Sequence, residues 1–130
     1  MALMKFREPN QVKWVGSRPG HNGTQVAEHG IANNAGVIFY TVTVGKTLYL
    51  TFYSFSISTS GVTAESHFSI YTDGAVHYLY LHSVVPPAAW QNLCSGTFNP
   101  PLEIPAGYYF RLFASGVAAT LQGSIVGWEE

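Results

Sequence analysis

Short runs of β-branched and aromatic residues follow one another from Gly36 to the end of the chain, separated by turn-forming residues at intervals of about eight to twelve positions. This spacing is typical of the strands of a sandwich or barrel. No segment shows the hydrophobic period of a helix. Counting the runs predicts about eight antiparallel strands, which fit a single-domain jelly roll better than an open sheet.

Alternation within each run predicts which side chains face the core. The predicted core sets are Ile38, Tyr40, Val42 and Val44 in residues 37–44, Phe68 and Ile70 in residues 64–71, and Tyr108, Phe110 and Leu112 in residues 108–115. Residues 47–58 switch parity, from a set ending at Phe52 to a set beginning at Phe55. Because a regular strand cannot bury both sets, we expect a bulge near Tyr53 and Ser54.

Two turn signals mark predicted hairpins. Asp73-Gly74 predicts a type I′ turn, because both residues tolerate the positive φ that this turn needs. Ser115-Gly116 predicts a turn between the last two strands, which we expect to pair with each other.

Residues 1–35 are rich in Gly, Asn, Pro and Gln. We interpret them as an extended N-terminal arm, with a short strand near residues 12–15, that precedes a jelly-roll domain over residues 36–130. Four basic residues and Glu8 give residues 1–18 a net charge of +3, so the remainder of this −1 chain is −4. We predict that the arm docks on an acidic neighbouring surface. The alternative is a solvated terminus. A charge of +3 over eighteen residues is too dilute to indicate nucleic-acid binding. The predicted docking residues are Lys5, Phe6, Arg7, Lys13, Trp14 and Arg18.

Charged residues make up only 10% of the chain, compared with about 25% in typical globular proteins, whereas aromatic residues reach 15%. Such a surface favours association; the alternative is a weakly charged monomer. Aromatic residues also fall opposite the predicted core sets, where rigid rings suit an interface. The predicted interface residues are Phe39, Tyr49, Tyr53, Tyr71, Tyr109 and Phe113. The alternative is that the chain itself covers this second face.

The chain lacks a pattern of catalytic residues. Its only aspartate, Asp73, lies in a predicted turn, and no Gly-x-Ser-x-Gly motif is present, which argues against a Ser-His-Asp hydrolase. The only cysteine, Cys94, is expected to be a packed thiol. The histidines lack the spacing of a metal site, although His67 and His77 would face each other across the predicted hairpin. We therefore expect no enzyme activity, no metal and no cofactor.

A candidate ligand-binding segment follows Pro87, where residues 88–100 form either a long connection or a short edge strand. Jelly rolls bind sugars through exposed aromatic and amide side chains, and Trp90, Gln91 and Asn92 supply these groups here. The alternative for Trp90 is an anchor packed into the end of the barrel.

Four segments carry a family resemblance: Gly45–Leu50, the Asp73-Gly74 hairpin, Ile104–Gly107 and Gly123–Glu130. Together they resemble small jelly-roll virion proteins of tailed bacteriophages, which decorate capsids or build fibre and tail attachments. The resemblance covers roughly residues 36–130. It implies trimeric assembly, no catalysis, no cofactor, and an arm that docks on the major capsid protein or another virion protein.

The leading expectation is thus a non-enzymatic phage structural protein, a trimeric capsid decoration or cement protein located in the virion. A single cysteine and the absence of a signal-peptide pattern fit synthesis in the host cytoplasm. No nucleic acid or membrane partner is expected. The alternative is a carbohydrate- or receptor-binding module of a tail or fibre.

Overall fold

The computed structural model describes residues 23–33, 35–59, 63–85, 91–116 and 119–130, which form eight β-strands. The strands are β1 (Thr24–Asn33), β2 (Gly36–Thr41), β3 (Leu48–Thr59), β4 (Thr63–Tyr71), β5 (His77–Val84), β6 (Gln91–Ile104), β7 (Tyr109–Gly116) and β8 (Ala119–Glu129). They build two antiparallel four-stranded sheets, with strand orders β1-β8-β3-β6 and β2-β7-β4-β5. This order is that of a jelly roll, so the predicted all-β, single-domain sandwich is confirmed.

The two sheets pack face to face on an apolar core. Phe68 and Ile70 of β4 and Phe110 and Leu112 of β7 are fully buried, as their alternation predicts. Aromatic rings meet across the sandwich, with the centroids of Phe55 and Phe68 6.1 Å apart. The core is therefore contributed by both sheets, and the two outer faces are left for other roles.

Strand β1 lies within the segment interpreted from sequence as the N-terminal arm, residues 1–35. It pairs with β8 along its whole length and forms an edge of the first sheet. The boundary of the arm at residue 35 is therefore corrected. The pattern hid this strand because only Val26, Gly30 and Ala32 of its ten residues are buried. The strand predicted near residues 12–15 lies outside the described residues.

A bulge in β3 changes which of its residues face the core. The pairing register shifts between Leu50 and Phe52, two residues earlier than predicted. As a result Tyr53 and Phe55 point inward, and Tyr53 packs against the core cluster. The outward position predicted for Tyr53 is therefore wrong, because the extra residue between Leu50 and Phe52 reverses the inward and outward alternation of the residues that follow.

A second shift, between Ile38 and Tyr40, has the same effect in β2. Phe39 turns inward, with its ring centroid 5.7 Å from that of Phe68 and 6.2 Å from that of Phe110. Ile38 is instead 54% exposed. The predictions that Ile38 is buried and that Phe39 points outward are both wrong, since strict alternation does not survive a bulge.

Strands β7 and β8 follow each other in the chain but lie in different sheets. β7 pairs with β2 and β4, whereas β8 pairs with β1 and β3. The predicted pairing of the last two strands is therefore wrong. Their inward side chains meet across the core. Buried and exposed residues therefore alternate along β7 and β8 just as they would if the two strands were paired in one sheet.

The turn between β4 and β5 lies at the predicted place in a different conformation. Ala75 N–H donates to the Thr72 carbonyl (3.0 Å), and Thr72 N–H donates to the Val76 carbonyl (2.8 Å). Positive φ occurs at Ala75 (63°) and not at Asp73 or Gly74. This is the three-residue loop in which a type I turn precedes a left-handed residue, so the type I′ prediction is wrong.

A buried carboxylate ties the end of β8 to β2. Glu129 is 5% exposed, and its Oε2 accepts hydrogen bonds from the Tyr40 hydroxyl (2.5 Å) and the Thr43 N–H (2.9 Å). Burial alone would raise the pKa of Glu129, but these donors and Lys46 bring the pKa below its ordinary value. Burial and the neighbouring carboxylate raise the pKa of Tyr40.

Candidate binding surfaces

The outer face of the β1-β8-β3-β6 sheet carries no Asp, Glu, Lys or Arg over four consecutive rows. Each row crosses all four strands in register. The rows are Ala27, Val126, Phe52 and Thr97; His29, Ser124, Ser54 and Ser95; Ile31, Gln122, Ser56 and Leu93; and Asn33, Thr120, Ser58 and Gln91. We name these residues the neutral face.

Small hydroxyl and amide side chains dominate the neutral face, with apolar side chains near its border. Leu93 is 72% exposed and Ile31 is 49% exposed, at opposite edges of one row. Strand spacing gives the face dimensions of about 19 Å by about 27 Å. Depletion of charged residues is the compositional mark of interface centres, so this face has the character of a contact surface.

One end of the neutral face opens into a groove of about 650 Å³. The groove is lined by Ser56, Ile57, Ser58, Gln91, Asn92, Leu93, Thr120 and Gln122. Two of the three predicted ligand residues, Gln91 and Asn92, therefore lie together beside the Gln122 amide. Both belong to β6, so residues 91–104 form an edge strand, one of the two alternatives left open by the sequence. Trp90 lies outside the described residues.

The outer face of the second sheet carries a dense cluster of aromatic and basic side chains. Two register shifts each add a residue to β5, so residues three apart share one face. From β5, β4 and β7 in turn, the paired rows are His77, Tyr71 and Tyr109; Tyr80, Ser69 and Arg111; and Ser83, His67 and Phe113. We name these residues the aromatic–histidine face.

Ring stacking holds the aromatic–histidine face together. Tyr71 and Tyr109 stack at 5.3 Å and are almost parallel. His77 stacks on Tyr80 at 4.6 Å. The rings of His67 and His77 meet edge to face at 5.4 Å, but the two residues are not opposite each other across the hairpin as predicted, since His77 pairs with Tyr71 and His67 with Ser83. His67 and Tyr71 are consequently buried, whereas Tyr80 remains 45% exposed, which leaves its ring accessible on a rigid base.

Arg111 is fixed between two aromatic rings of this face. Its Cζ lies 5.5 Å from the Tyr71 centroid and 5.0 Å from the Phe113 centroid. Its Nη1 donates to the Tyr71 hydroxyl (3.3 Å), which also forms a hydrogen bond with Nε2 of His77 (2.9 Å). Gly36 leaves room for the guanidinium, since a Cβ there would collide with it. Among the described residues, no carboxylate lies within ion-pair distance of Arg111.

The buried histidine of this face favours its neutral form. Burial lowers the pKa of His67, and His77 and Arg111 lower it further, although Glu65 opposes them. Its Nδ1 forms a hydrogen bond with the Ser69 hydroxyl at 2.9 Å. Acidification therefore opposes the folded arrangement of the face.

The six predicted interface residues do not form one surface. Tyr71, Tyr109 and Phe113 lie on the aromatic–histidine face. Tyr49 lies on the outer side of the other sheet, stacked on Trp128 at 5.2 Å. The remaining two, Phe39 and Tyr53, face the core, as described above. The predicted docking residues, Lys5, Phe6, Arg7, Lys13, Trp14 and Arg18, all lie outside the described residues.

The neutral face was not predicted from the sequence. Its visible signal is the row of Ser54, Ser56 and Ser58, which alternates with the buried Phe55 and Ile57. From the sequence, serines that alternate with buried residues cannot be distinguished from ordinary solvent-exposed residues. Only the strand order shows that β1, β6 and β8 extend the same uncharged surface on both sides.

Other chemical candidates were also located. Cys94 packs against the core, and burial raises the pKa of its thiol, which disfavours the nucleophilic thiolate. No group of three His, Cys, Asp or Glu side chains within the described ranges is placed to hold a metal ion. The same ranges contain no helix that is long and apolar enough to span a membrane.

Comparison of the chain with protein-family models gives no match, and comparison with curated protein sequences gives none either.

Proposed function

We propose that the protein is a non-enzymatic structural subunit that associates with copies of itself through the neutral face. The observation that supports this proposal is the run of four uncharged rows on the outside of a sheet whose other side forms the core. Without like charges, nothing on this surface keeps two copies apart. Complete burial of Leu93 and Ile31 by a partner would contribute about 1–2 kcal/mol each.

The neutral face is a better subunit contact than the aromatic surface predicted from sequence. The rings of Tyr71 and Phe113 already pack against their own neighbours, so a second copy would gain little additional burial from them. Short hydroxyl side chains such as Ser54 and Ser56 lose little entropy when ordered and allow two sheets to approach closely.

The resemblance to phage virion proteins supplies a setting for this assembly. We propose a homotrimer that decorates or cements a bacteriophage capsid and attaches through the N-terminal arm. Deleting residues 2–18 is then expected to abolish binding to capsids while leaving the trimer intact. Capsid binding at full affinity by the deleted chain would contradict the cementing role.

A matched pair of substitutions tests the subunit contact. Ile31 and Ile38 lie on edge strands of opposite sheets, and their exposed fractions are 49% and 54%. Ile31→Lys places a charge on the neutral face, whereas Ile38→Lys places the same charge beside the aromatic–histidine face. Light scattering is expected to show dissociation of the oligomer only for Ile31→Lys. Dissociation by Ile38→Lys alone would move the interface to the aromatic surface predicted from sequence.

A second candidate function rests on the groove, where amide and hydroxyl groups surround the apolar Leu93. Such a lining suits a neutral saccharide, because a few polar groups fix orientation while the apolar part packs against the ring. Gln91→Ala is expected to abolish glycan binding, whereas Gln25→Ala, on the exposed part of β1 outside the groove, leaves it unchanged. Equal glycan binding by both variants and the parent chain would eliminate the groove as the site.

A further inference from the structure

We propose that the aromatic–histidine face binds an acidic saccharide, with Arg111 receiving the sugar carboxylate and Tyr80 with His77 forming a platform for the sugar ring. This inference concerns the opposite sheet from the neutral face. It does not depend on how, or whether, the subunits associate.

Arg111 is placed as a carboxylate receptor. It is one of only two cationic residues among those described, the other being Lys46. Its planar guanidinium suits bidentate recognition of carboxylates. The Tyr71 and Phe113 rings and the space above Gly36 already fix its position. A carboxylate would therefore bind to a preorganised donor, with little ordering cost.

The ring platform lies on the same face as Arg111. Ser69 pairs with Arg111 on one side and with Tyr80 on the other, which separates their Cα atoms by two strand spacings, about 10 Å. The Arg111 guanidinium lies above Gly36 of β2, and hydrogen bonds connect it to the platform: the Tyr71 hydroxyl contacts both Nη1 of Arg111 (3.3 Å) and Nε2 of His77 (2.9 Å). Tyr80 offers a half-exposed ring stacked on His77, and the hydroxyl of Tyr80 adds a polar contact for sugar hydroxyls.

The charge of the described residues favours a single carboxylate over a polyanion as the ligand. The described residues contain six acidic side chains and two cationic ones. A polyphosphate backbone or a heavily sulfated chain would be repelled by this excess, since such partners need several basic contacts. One carboxylate on a ring uses the Arg111 guanidinium, the one guanidinium of the described residues, and the neighbouring aromatic surface.

The probes for the test are methyl β-D-glucuronide, its uncharged counterpart methyl β-D-glucoside, and acetate, titrated into the full chain and followed by two-dimensional NMR. The glucuronide is expected to bind at least tenfold more tightly than either of the others, with shifts at Arg111 and Tyr80. Equal affinity for the glucoside would overturn the role of Arg111. Equal affinity for acetate would overturn the saccharide platform.

Variants separate this site from a general charge effect. Arg111→Lys retains the charge but loses the planar fork, and we expect at least a tenfold loss of glucuronide affinity. Lys46→Gln, which removes the other described cation, is expected to leave the affinity unchanged. If Arg111→Lys unfolds, Tyr80→Leu tests the platform instead, again with at least a tenfold loss expected. Full affinity in the folded Arg111 variant, or in Tyr80→Leu, would refute the site.

Discussion

Removing one hydroxyl group from Tyr40 tests whether the buried carboxylate of Glu129 holds the two sheets together. In the native structure the Tyr40 hydroxyl donates to Glu129 Oε2 at 2.5 Å, and the Thr43 N–H is the second donor at 2.9 Å. The Tyr40→Phe variant retains the ring and its packing on Phe110. It removes one donor from a carboxylate that is only 5% exposed.

The expected loss of stability follows from the charge of the acceptor. A hydrogen bond to an ionised group contributes about 1.5–3 kcal/mol to stability, more than a neutral one. We therefore expect Tyr40→Phe to lower the free energy of unfolding by about 2 kcal/mol at pH 7. Tyr78→Phe is the matched control, because the Tyr78 side chain is 45% exposed; its loss is expected to stay within about 0.5 kcal/mol.

The assay is urea denaturation at several pH values. The pKa of Glu129 is lowered in the folded state, so its contribution is present above its ordinary value of 4.5 and is lost as the pH falls through the folded-state pKa. The difference between Tyr40→Phe and the parent chain should therefore shrink in acid. In a Glu129→Gln background, Tyr40→Phe should have a much smaller effect. A loss no larger than that of Tyr78→Phe at pH 7 would show that the Tyr40 hydroxyl does not stabilise the buried carboxylate.

Three further predictions concern the backbone and the buried histidine. Ala75→Gly should raise the free energy of unfolding by about 0.5 kcal/mol, because Ala75 has a φ of 63°. Gly45→Ala should lower the free energy of unfolding by about 1 kcal/mol, since Gly45 has a φ of 79° and an added Cβ would meet no atom within 4 Å. Thermal unfolding that shows Ala75→Gly to be destabilising and Gly45→Ala to be stabilising would contradict both predictions. Because burial lowers the pKa of His67, stability present above pH 6.5 should be lost as the pH falls through the folded-state pKa. His67→Gln should reduce the loss of stability between pH 7.5 and pH 5, and an unchanged pH dependence of urea unfolding would argue against this assignment.

The sequence was sufficient to predict the fold class because alternation survives wherever a strand is regular. Phe68, Ile70, Phe110 and Leu112 are buried as predicted. The hydrophobic pattern did not predict β1, because this exposed edge strand has only three buried residues. It also failed to place β7 and β8 in different sheets, since pairing across a core and pairing within a sheet bury the same alternate residues.

The candidate surfaces were harder to predict because bulges decide which side chains share a face. An extra residue in β2 and another in β3 turned Phe39 and Tyr53 inward, although alternation placed them outward. Extra residues in β5 brought His77 and Tyr80 together on one face. The position of a bulge depends on the strand with which the bulged strand pairs. The hydrophobic pattern of a strand does not specify that partner, so the bulges could not be predicted.

Light scattering of the purified full chain over a range of concentrations shows whether copies of this chain associate through the neutral face. We expect a stable species of three times the 14.2 kDa mass of one chain, which Ile31→Lys dissociates and Ile38→Lys does not. A parent chain that remains monomeric at every concentration would contradict this expectation.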